Sequence, residues 1–140
     1  MKKMKGVITA MTTPFDEHDQ VDVKALEEQV GFLIQKGVNC LYPCGTTGEM
    51  FNMTPEEREL VAETVLKAAA GRVDVFIHVG AMTLKETIRL AQHAEKIGVD
   101  GIGVVTPGFF GIKDKAMIRY YQQVSASVSK DFPIYLYAIP

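Results

Sequence analysis

One strand–helix unit recurs about every 30 residues, and this repeat constrains the fold of the chain more than any other feature. Residues 36–41 (Lys-Gly-Val-Asn-Cys-Leu) and residues 97–102 (Ile-Gly-Val-Asp-Gly-Ile) are two copies of the same junction. Each has a glycine that ends a helix, then a valine, a turn-forming side chain and an apolar strand. Strands that are apolar on both faces and alternate with helices are typical of a parallel sheet covered by helices.

The pattern of apolar residues, glycines and prolines predicts five strands alternating with four helices. The strands are expected over residues 6–10, 38–42, 73–79, 99–105 and 134–139, and the helices over residues 22–37, 54–70, 83–98 and 114–128. Thr54 is followed by Pro55 and Glu57, which predicts a capping box with proline in the first helical position. Thr83 and Glu86 predict a second capping box.

Two folds have this repeat, a (β/α)8 TIM barrel of about 250 residues and a doubly wound open sheet. The first strand is not followed by the Gly-x-Gly-x-x-Gly turn of the doubly wound fold, so we favour the barrel. Because 140 residues supply little more than half a barrel, we expect residues 1–140 to be the amino-terminal portion of a single α/β barrel domain. Such a piece would leave its first and fifth strands unpaired. We therefore expect a longer polypeptide, or partner chains, to cover the opening.

The composition narrows the possible functions. Apolar residues make up 47% of the chain and charged residues 23%, which is typical of a globular protein with a sizeable core. A net charge of -2 gives no basic surface for nucleic acid. No apolar run approaches the roughly 18 residues of a membrane span, and no signal-peptide pattern opens the chain. We therefore expect a cytoplasmic protein that binds neither membranes nor nucleic acid.

Cys40 and Cys44 are expected to be free thiols, because disulfides are rare in cytoplasmic proteins. Their three-residue gap differs from the Cys-x-x-Cys spacing of zinc and redox sites. No cluster of histidines, cysteines or carboxylates in the sequence suggests a metal site, and no cofactor is predicted.

Residues 44–49 (Cys-Gly-Thr-Thr-Gly-Glu) form the most distinctive turn, directly after the second strand. Gly45 and Gly48 would permit a tight bend and a close approach of backbone amides to a ligand. Thr46 and Thr47 supply two adjacent hydroxyl donors. Such a turn at the carboxyl end of a strand can bind a small carboxylate or phosphate. On spacing alone, a strand-to-helix turn capped by threonines is equally compatible with the pattern.

A short motif lies at or after the end of every predicted strand. The motifs are Thr13-Pro14-Phe15, residues 45–49, Val79-Gly80-Ala81, Thr106-Pro107 and residues 136–140 (Leu-Tyr-Ala-Ile-Pro). In order and spacing, and over the whole chain, this series resembles the pyruvate-dependent class I aldolase family that includes 4-hydroxy-tetrahydrodipicolinate (dihydrodipicolinate) synthase and N-acetylneuraminate lyase. The resemblance agrees with the barrel prediction, because barrel active sites are built at the carboxyl ends of the strands.

The resemblance implies Schiff-base chemistry on pyruvate and an aldehyde. A lysine amine condenses with the pyruvate ketone, and the iminium is an electron sink for making or breaking a carbon–carbon bond. Matched position by position, the pyruvate carboxylate would be bound by Gly45, Thr46, Thr47 and Gly48, and Thr47 would also be catalytic. Tyr137 would be the proton shuttle; without the motif, a strand tyrosine packed under a loop would be the better interpretation. The family also implies a homo-oligomer, either a dimer or a tetramer.

Three departures from the family pattern bear on this interpretation. The Schiff-base lysine of the family lies on a sixth strand, which these 140 residues do not reach. Lys113 has a similar local motif, but it follows the fourth strand and precedes a helix, so we expect a solvated loop lysine. Residues 108–110 (Gly-Phe-Phe) lack the tyrosine hydroxyls usual in the synthase branch, and Ala138 replaces the usual asparagine. The missing hydroxyls favour a less specialised lyase or aldolase, with Phe109 and Phe110 making part of the pocket apolar. Ala138 removes an amide that could form a hydrogen bond nearby.

Two further residues have predicted roles. His78 lies in an apolar strand, where it is either a hydrogen-bonded core histidine, which we favour, or a substrate contact inside the barrel. Glu49 is expected to be structural, with its carboxylate accepting from backbone amides beneath the turn.

The sequence leaves three functions open. The first is a Schiff-base lyase or synthase acting on pyruvate and an aldehyde. The second is a catalytically inert half-barrel or association module. The third is another barrel enzyme, with a phosphate site at the turn of residues 44–49.

Overall fold

The computed structural model describes residues 4–107 and 111–138. Its strands are β1 (Ile8–Ala10), β2 (Cys40–Tyr42), β3 (Asp74–His78), β4 (Gly101–Val105) and β5 (Ile134–Tyr137), and its α-helices are α1 (Val23–Gln35), α2 (Pro55–Ala69), α3 (Leu84–Ile97) and α4 (Asp114–Ser125). A 3-10 turn (Met50–Asn52) lies between β2 and α2. Strands and helices alternate as predicted, although the predicted end of the fifth strand at Ile139 lies outside the described residues. None of the described helices combines the length and apolar character that a membrane span requires.

The five strands form one parallel sheet in the order β1-β2-β3-β4-β5, so each strand pairs with the next one along the chain. A doubly wound sheet would reverse its strand order part-way across. Among the described residues, β1 and β5 each have a neighbour on one side only. Val7, Ile8, Leu136 and Tyr137, at these two edges, are between 43% and 63% exposed. The prediction of an incomplete barrel with two open edges is confirmed.

Asn39 and Asp100, the turn-forming residues of the repeated junction, explain why β2 and β4 begin later than predicted. The Asn39 amide donates to the Val7 carbonyl at 3.0 Å, and the Asn39 side-chain oxygen accepts from the Val7 amide at 2.9 Å. Asp100 forms the same pair with Val75, at 2.9 and 2.8 Å. In both places a side chain supplies the acceptor that a regular strand takes from its backbone. The strand therefore begins only after that residue.

The two predicted capping boxes have different outcomes. At α2, Thr54 and Glu57 form the full reciprocal box, as predicted. At α3, the Thr83 hydroxyl accepts from the Glu86 amide, but the Glu86 carboxylate accepts from that hydroxyl instead of from the Thr83 amide. The second box is therefore only half formed.

Side chains alternate between an outer and an inner face of the sheet. The outer face packs against the helices in a core whose buried members include Leu26, Val30, Leu41, Val61, Val65, Val75, Ile77, Leu90, Ile102, Val104 and Val124. On the inner face, the two strands that flank β4 present aromatic rings. Phe76 on β3 and Tyr135 on β5 meet edge to face with ring centroids 5.5 Å apart.

Glycine occupies two of the three inward positions of β4, Gly101 and Gly103, because these rings need the space. A β-carbon on Gly103 would meet the Tyr42 hydroxyl, with the ring carbons Cζ and Cε2 at 2.6 and 2.8 Å. A β-carbon on Gly101 would meet the ring of Phe76. At both glycines a β-carbon would lie closer to the ring than carbon atoms can pack, so the inner face requires glycine at these two positions.

We predict that Gly103→Ala lowers the free energy of unfolding by about 1–3 kcal/mol, because the added methyl overpacks the inner face against Tyr42. Gly31→Ala is the matched control: Gly31 lies within α1, and a β-carbon there would have no heavy atom within 4 Å. The control should raise the free energy of unfolding by up to about 1 kcal/mol, because alanine favours the helix. Urea unfolding measures both changes, and equal effects of the two substitutions would contradict the packing argument.

Candidate functional site

The turn of residues 44–49 leads from β2 into the 3-10 turn. Within it, the Glu49 amide donates to the Thr46 carbonyl at 3.0 Å. Cys44 and Glu49, at its two ends, have positive φ angles of 62° and 58°, a conformation that is uncommon for residues other than glycine. The backbone is thus folded tightly at the carboxyl end of β2.

The two glycines of this turn differ in what they do. A β-carbon on Gly48 would lie 3.0 Å from the Met11 carbonyl oxygen and 3.1 Å from the Cys44 amide nitrogen. A β-carbon on Gly45 would meet only the ring of Tyr42, at 3.9 Å. Close backbone approach therefore requires glycine at Gly48 alone. Neither Gly45 nor Gly48 has a positive φ angle, because the left-handed residues of this turn are Cys44 and Glu49. That Gly45 permits a close approach of backbone amides to a ligand stays a prediction.

Thr46 and Thr47 are both exposed. The amides of Gly45, Thr46 and Thr47 donate no hydrogen bond to any described residue. Adjacent amides without protein partners and two hydroxyls make a surface rich in donors. Such a surface suits a small anion, for example a carboxylate.

Thr13, in the motif after β1, supports the turn from below. Its hydroxyl donates to the Gly48 carbonyl at 2.8 Å, and the residue is 5% exposed. The sequence motif includes Thr13 but does not reveal this role. Its partner is 35 residues away in the sequence, and no local periodicity records such a contact.

Arg58 is a buried cation beside the turn that the sequence analysis missed. It is 5% exposed on the face of α2 that packs against the sheet. Its guanidinium donates to the Gly80 carbonyl at 2.9 Å and to the His78 carbonyl at 2.8 Å, so it ties α2 to the carboxyl end of β3. The available sequence signal is its spacing of three and four residues from the buried Val61 and Ala62, which places it on the apolar face.

The Cys44 thiol lies next to this cation. Burial raises the pKa of Cys44 to about 11, although the charge of Arg58 opposes the shift. Since a nucleophile or metal ligand must be the thiolate, this thiol is structural. Neither Cys40 nor Cys44 is part of a disulfide, as predicted, and both side chains are buried. Within the described parts of the chain, no three His, Cys, Asp or Glu side chains are placed to hold a metal ion.

His78 lies between the turn and the end of β4. Its Nδ1 is 3.1 Å from the Cys44 carbonyl oxygen, and its Nε2 accepts from the Val105 amide at 3.3 Å. Burial, together with the charge of Arg58, lowers the pKa of His78 to about 4, while the bond to the Cys44 carbonyl opposes this. The residue is 1% exposed. Of its two interpretations, the structure supports the hydrogen-bonded core histidine.

Tyr137 lies on β5 at the same rim of the sheet, where it pairs with Val105 of β4. Its ring centroid is 6.5 Å from that of His78, and the two planes meet at 82°. Tyr42 meets His78 in the same way, at 6.0 Å and 85°. Burial, and then the nearby Tyr137, raise the pKa of the Tyr42 phenol. Tyr42 and Tyr137 also line one cavity of about 190 Å³ on the inner face. The His78 ring contacts both the Cys44 carbonyl and the Tyr137 ring, and it therefore connects the turn after β2 to Tyr137.

The other predicted positions lie away from this cluster. Lys113 is exposed and is the N-cap of α4, as expected of a solvated lysine. Glu49 is exposed, and its carboxylate accepts from the Asn52 side-chain amide at 2.9 Å. Its predicted contact with backbone amides beneath the turn is wrong, because the left-handed backbone at Glu49 leaves the side chain in solvent. Ala138 is exposed directly after β5, and residues 108–110 lie outside the described residues.

Comparison with known proteins gives the chain a family. A sequence model of the dihydrodipicolinate synthetase family matches residues 3–140. The probable 2-dehydro-3-deoxy-D-pentonate aldolase YjhH of Escherichia coli is 38% identical over 140 residues, which cover 100% of this chain and 46% of the aldolase. The N-acetylneuraminate lyase of Rattus norvegicus is 39% identical over 142 residues, which cover 99% of this chain and 44% of the lyase. The chain thus spans about half the length of the curated relatives it matches.

The fold agrees with that of solved relatives. The crystal structure of dihydrodipicolinate synthase from Aquifex aeolicus superposes with a TM-score of 0.92 at 36% sequence identity, over 98% of this chain and 46% of that one. The five parallel strands and four helices are therefore part of a (β/α)8 barrel. With a family match over nearly its whole length and a shared fold, this chain belongs to the dihydrodipicolinate synthetase family.

Proposed function

We propose that the protein containing this chain is a Schiff-base lyase or synthase that joins or splits pyruvate and an aldehyde. The turn of residues 44–49 is the observation that carries the proposal. The amides of Gly45, Thr46 and Thr47, which donate to none of the described residues, and the two threonine hydroxyls lie at the same strand-end rim as Tyr137. A carboxylate-binding turn and a phenol at one rim are what a pyruvate-dependent aldolase requires.

In this proposal the turn binds the substrate and Tyr137 transfers protons. Thr46 and Thr47, with their amides, hold the pyruvate carboxylate through charge-assisted hydrogen bonds. A lysine on a sixth strand, beyond residue 140, condenses with the pyruvate ketone, releases water and leaves an iminium. Loss of a proton from the pyruvate methyl group then gives an enamine, whose carbon attacks the aldehyde. Tyr137 carries protons to and from the reacting oxygens, with Thr47 as the second hydroxyl of the relay.

We place the protein with the lyases and aldolases of the family and not with the lysine-pathway synthases. Residues 108–110 (Gly-Phe-Phe) carry no side-chain hydroxyl, so the tyrosine relay of the synthase branch is absent from these positions. The cavity lined by Tyr42, Leu136 and Tyr137 on the inner face is mostly apolar. It supports a pocket with an apolar floor beneath the reacting groups.

A second candidate function is an association module without catalysis. It is favoured by the exposed apolar side chains of Val7, Ile8 and Leu136 at the two open edges of the sheet, which a second chain would cover. The two candidates differ in one observable, because only the enzyme forms a covalent bond to pyruvate.

Borohydride reduction in the presence of pyruvate should trap the imine as one three-carbon adduct on the full-length gene product that carries residues 1–140. Intact mass spectrometry measures the adduct, and peptide mapping should place it on a lysine outside residues 1–140. Lys113→Ala is the matched control and should form the same adduct, since Lys113 is an exposed helix cap. A protein that forms no adduct would contradict the enzyme and favour the association module. An adduct on Lys113 would contradict the proposed position of the lysine.

Tyr137→Phe should lower kcat by roughly 10²–10⁴-fold, the usual contribution of a positioned proton-transfer group. The KM for pyruvate should change less than about threefold, because the phenol is not part of the carboxylate site. Tyr121→Phe removes a hydroxyl from the outer helix α4 and should change neither constant. Steady-state kinetics compare the variants, and an unchanged kcat in Tyr137→Phe would rule out the shuttle role.

A further inference from the structure

We propose that His78 is a positioning residue for the turn of residues 44–49: its ring fixes the Cys44–Gly45 peptide and joins it to the end of β4. This inference rests on the proposed function, because the turn is the proposed carboxylate site. It gives a reason for a polar ring at a buried position of an otherwise apolar strand end.

The two hydrogen bonds of His78 define its tautomer. The Cys44 carbonyl oxygen, 3.1 Å from Nδ1, can only accept, so Nδ1 carries the proton. The Val105 amide, 3.3 Å from Nε2, can only donate, so Nε2 is the acceptor. Only the neutral ring with its proton on Nδ1 satisfies both neighbours.

The Cys44 carbonyl is the point at which His78 acts on the turn. A peptide group is planar and trans, so the Cys44 carbonyl and the Gly45 amide point in opposite directions from one rigid plane. Cys44 has a φ of 62°, which a residue other than glycine keeps only where its surroundings stabilise it. The hydrogen bond from His78 supplies that stabilisation and thereby sets the direction of the Gly45 amide.

The ring of His78 is held in place from several sides. Tyr42 and Tyr137 both meet it edge to face. A β-carbon on Gly80 would lie 2.8 Å from the Cε1 of His78, so the glycine of the motif after β3 leaves room for the ring. Because its neighbours enclose it, the ring cannot turn away from Cys44 without displacing one of them. The position of the ring therefore constrains both the turn and the Tyr137 side chain.

Three substitutions separate positioning from packing. In His78→Asn an amide nitrogen replaces Nδ1 and still donates to Cys44, whereas in His78→Gln the side-chain oxygen reaches the Val105 amide but the bond to Cys44 is lost. His78→Leu makes neither bond.

In the full-length gene product, the KM for pyruvate should rise about tenfold in the Gln and Leu variants, the effect of one lost hydrogen bond. It should rise less than about threefold in the Asn variant, while melting temperature falls in all three.

The Gly45 amide resonance in a nitrogen–proton NMR spectrum gives a second readout, which needs no pyruvate. It should shift in the Gln and Leu variants and stay near its original position in the Asn variant. A KM that rises equally in all three variants, or a Gly45 resonance that Leu leaves unmoved, would overturn the positioning role. Failure of the proposed function is distinguishable, because the unsubstituted protein would then form no borohydride-trapped adduct. The Gly45 resonance alone would then decide whether His78 holds the peptide.

The enclosed ring also predicts a pH dependence of stability. The titratable and charged groups that face it are the Arg58 guanidinium from α2, the Tyr42 phenol from β2 and the Tyr137 phenol from β5. Burial, and then the charge of Arg58, lower the pKa of His78 to about 4 from the ordinary 6.5. The unfolded state therefore binds more protons between these two values. The stability that the neutral ring contributes is fully present above pH 6.5 and falls as the pH drops toward 4.

Because the unfolded state binds a proton at His78 that the folded state excludes, the equilibrium constant for unfolding should rise on the order of a hundredfold as the pH falls from 7 to 4. Urea unfolding at several pH values measures the change. His78→Leu is the control, in which this part of the pH dependence should be absent although every carboxylate still titrates. Identical pH profiles for the two proteins would contradict a buried neutral ring with both nitrogens bonded.

Discussion

Two reciprocal hydrogen-bond pairs, Asn39 with Val7 and Asp100 with Val75, fix the parallel register on which the rest of the structure depends. Each pair marks the point at which a strand begins beside its neighbour. Side chains alternate with a period of two along a strand, so a slip of one residue would turn every inward side chain outward. The register therefore decides that aromatic rings fill the inner face and that the motifs after successive strands meet at one rim. The repeated junction in the sequence contains Asn39 and Asp100, the two residues that form these pairs.

The helices could be predicted from the sequence because their causes are local. The capping box of α2 joins Thr54 to Glu57, three residues away, and both side chains are visible in one short motif. The supports of the turn are different. Thr13, Arg58 and His78 bind partners between 20 and 35 residues away, and no periodicity in a single sequence records those contacts. The sequence therefore predicts the turn and its strand-end position, whereas the contacts that hold the turn appear only in the fold.

Arg58 adds to or opposes the effect of burial on the titratable groups around the turn. Its charge helps to keep His78 neutral and opposes the effect of burial on the Cys44 thiol. A lysine here would be a single point charge, whereas the planar guanidinium directs separate donors at two carbonyls. A buried positive charge also favours an anion at the adjacent turn. The residue that joins α2 to β3 would thus also favour the proposed carboxylate binding.

The sequential order of the strands has a consequence for how the protein is made. Each strand pairs with the one synthesised immediately before it, so every pairing closes a loop of only about 30 residues. Contacts of short sequence separation form quickly, and a growing chain emerges from the ribosome amino end first. The free edge of each partial sheet is then the template for the next strand, and the sheet can assemble in step with translation.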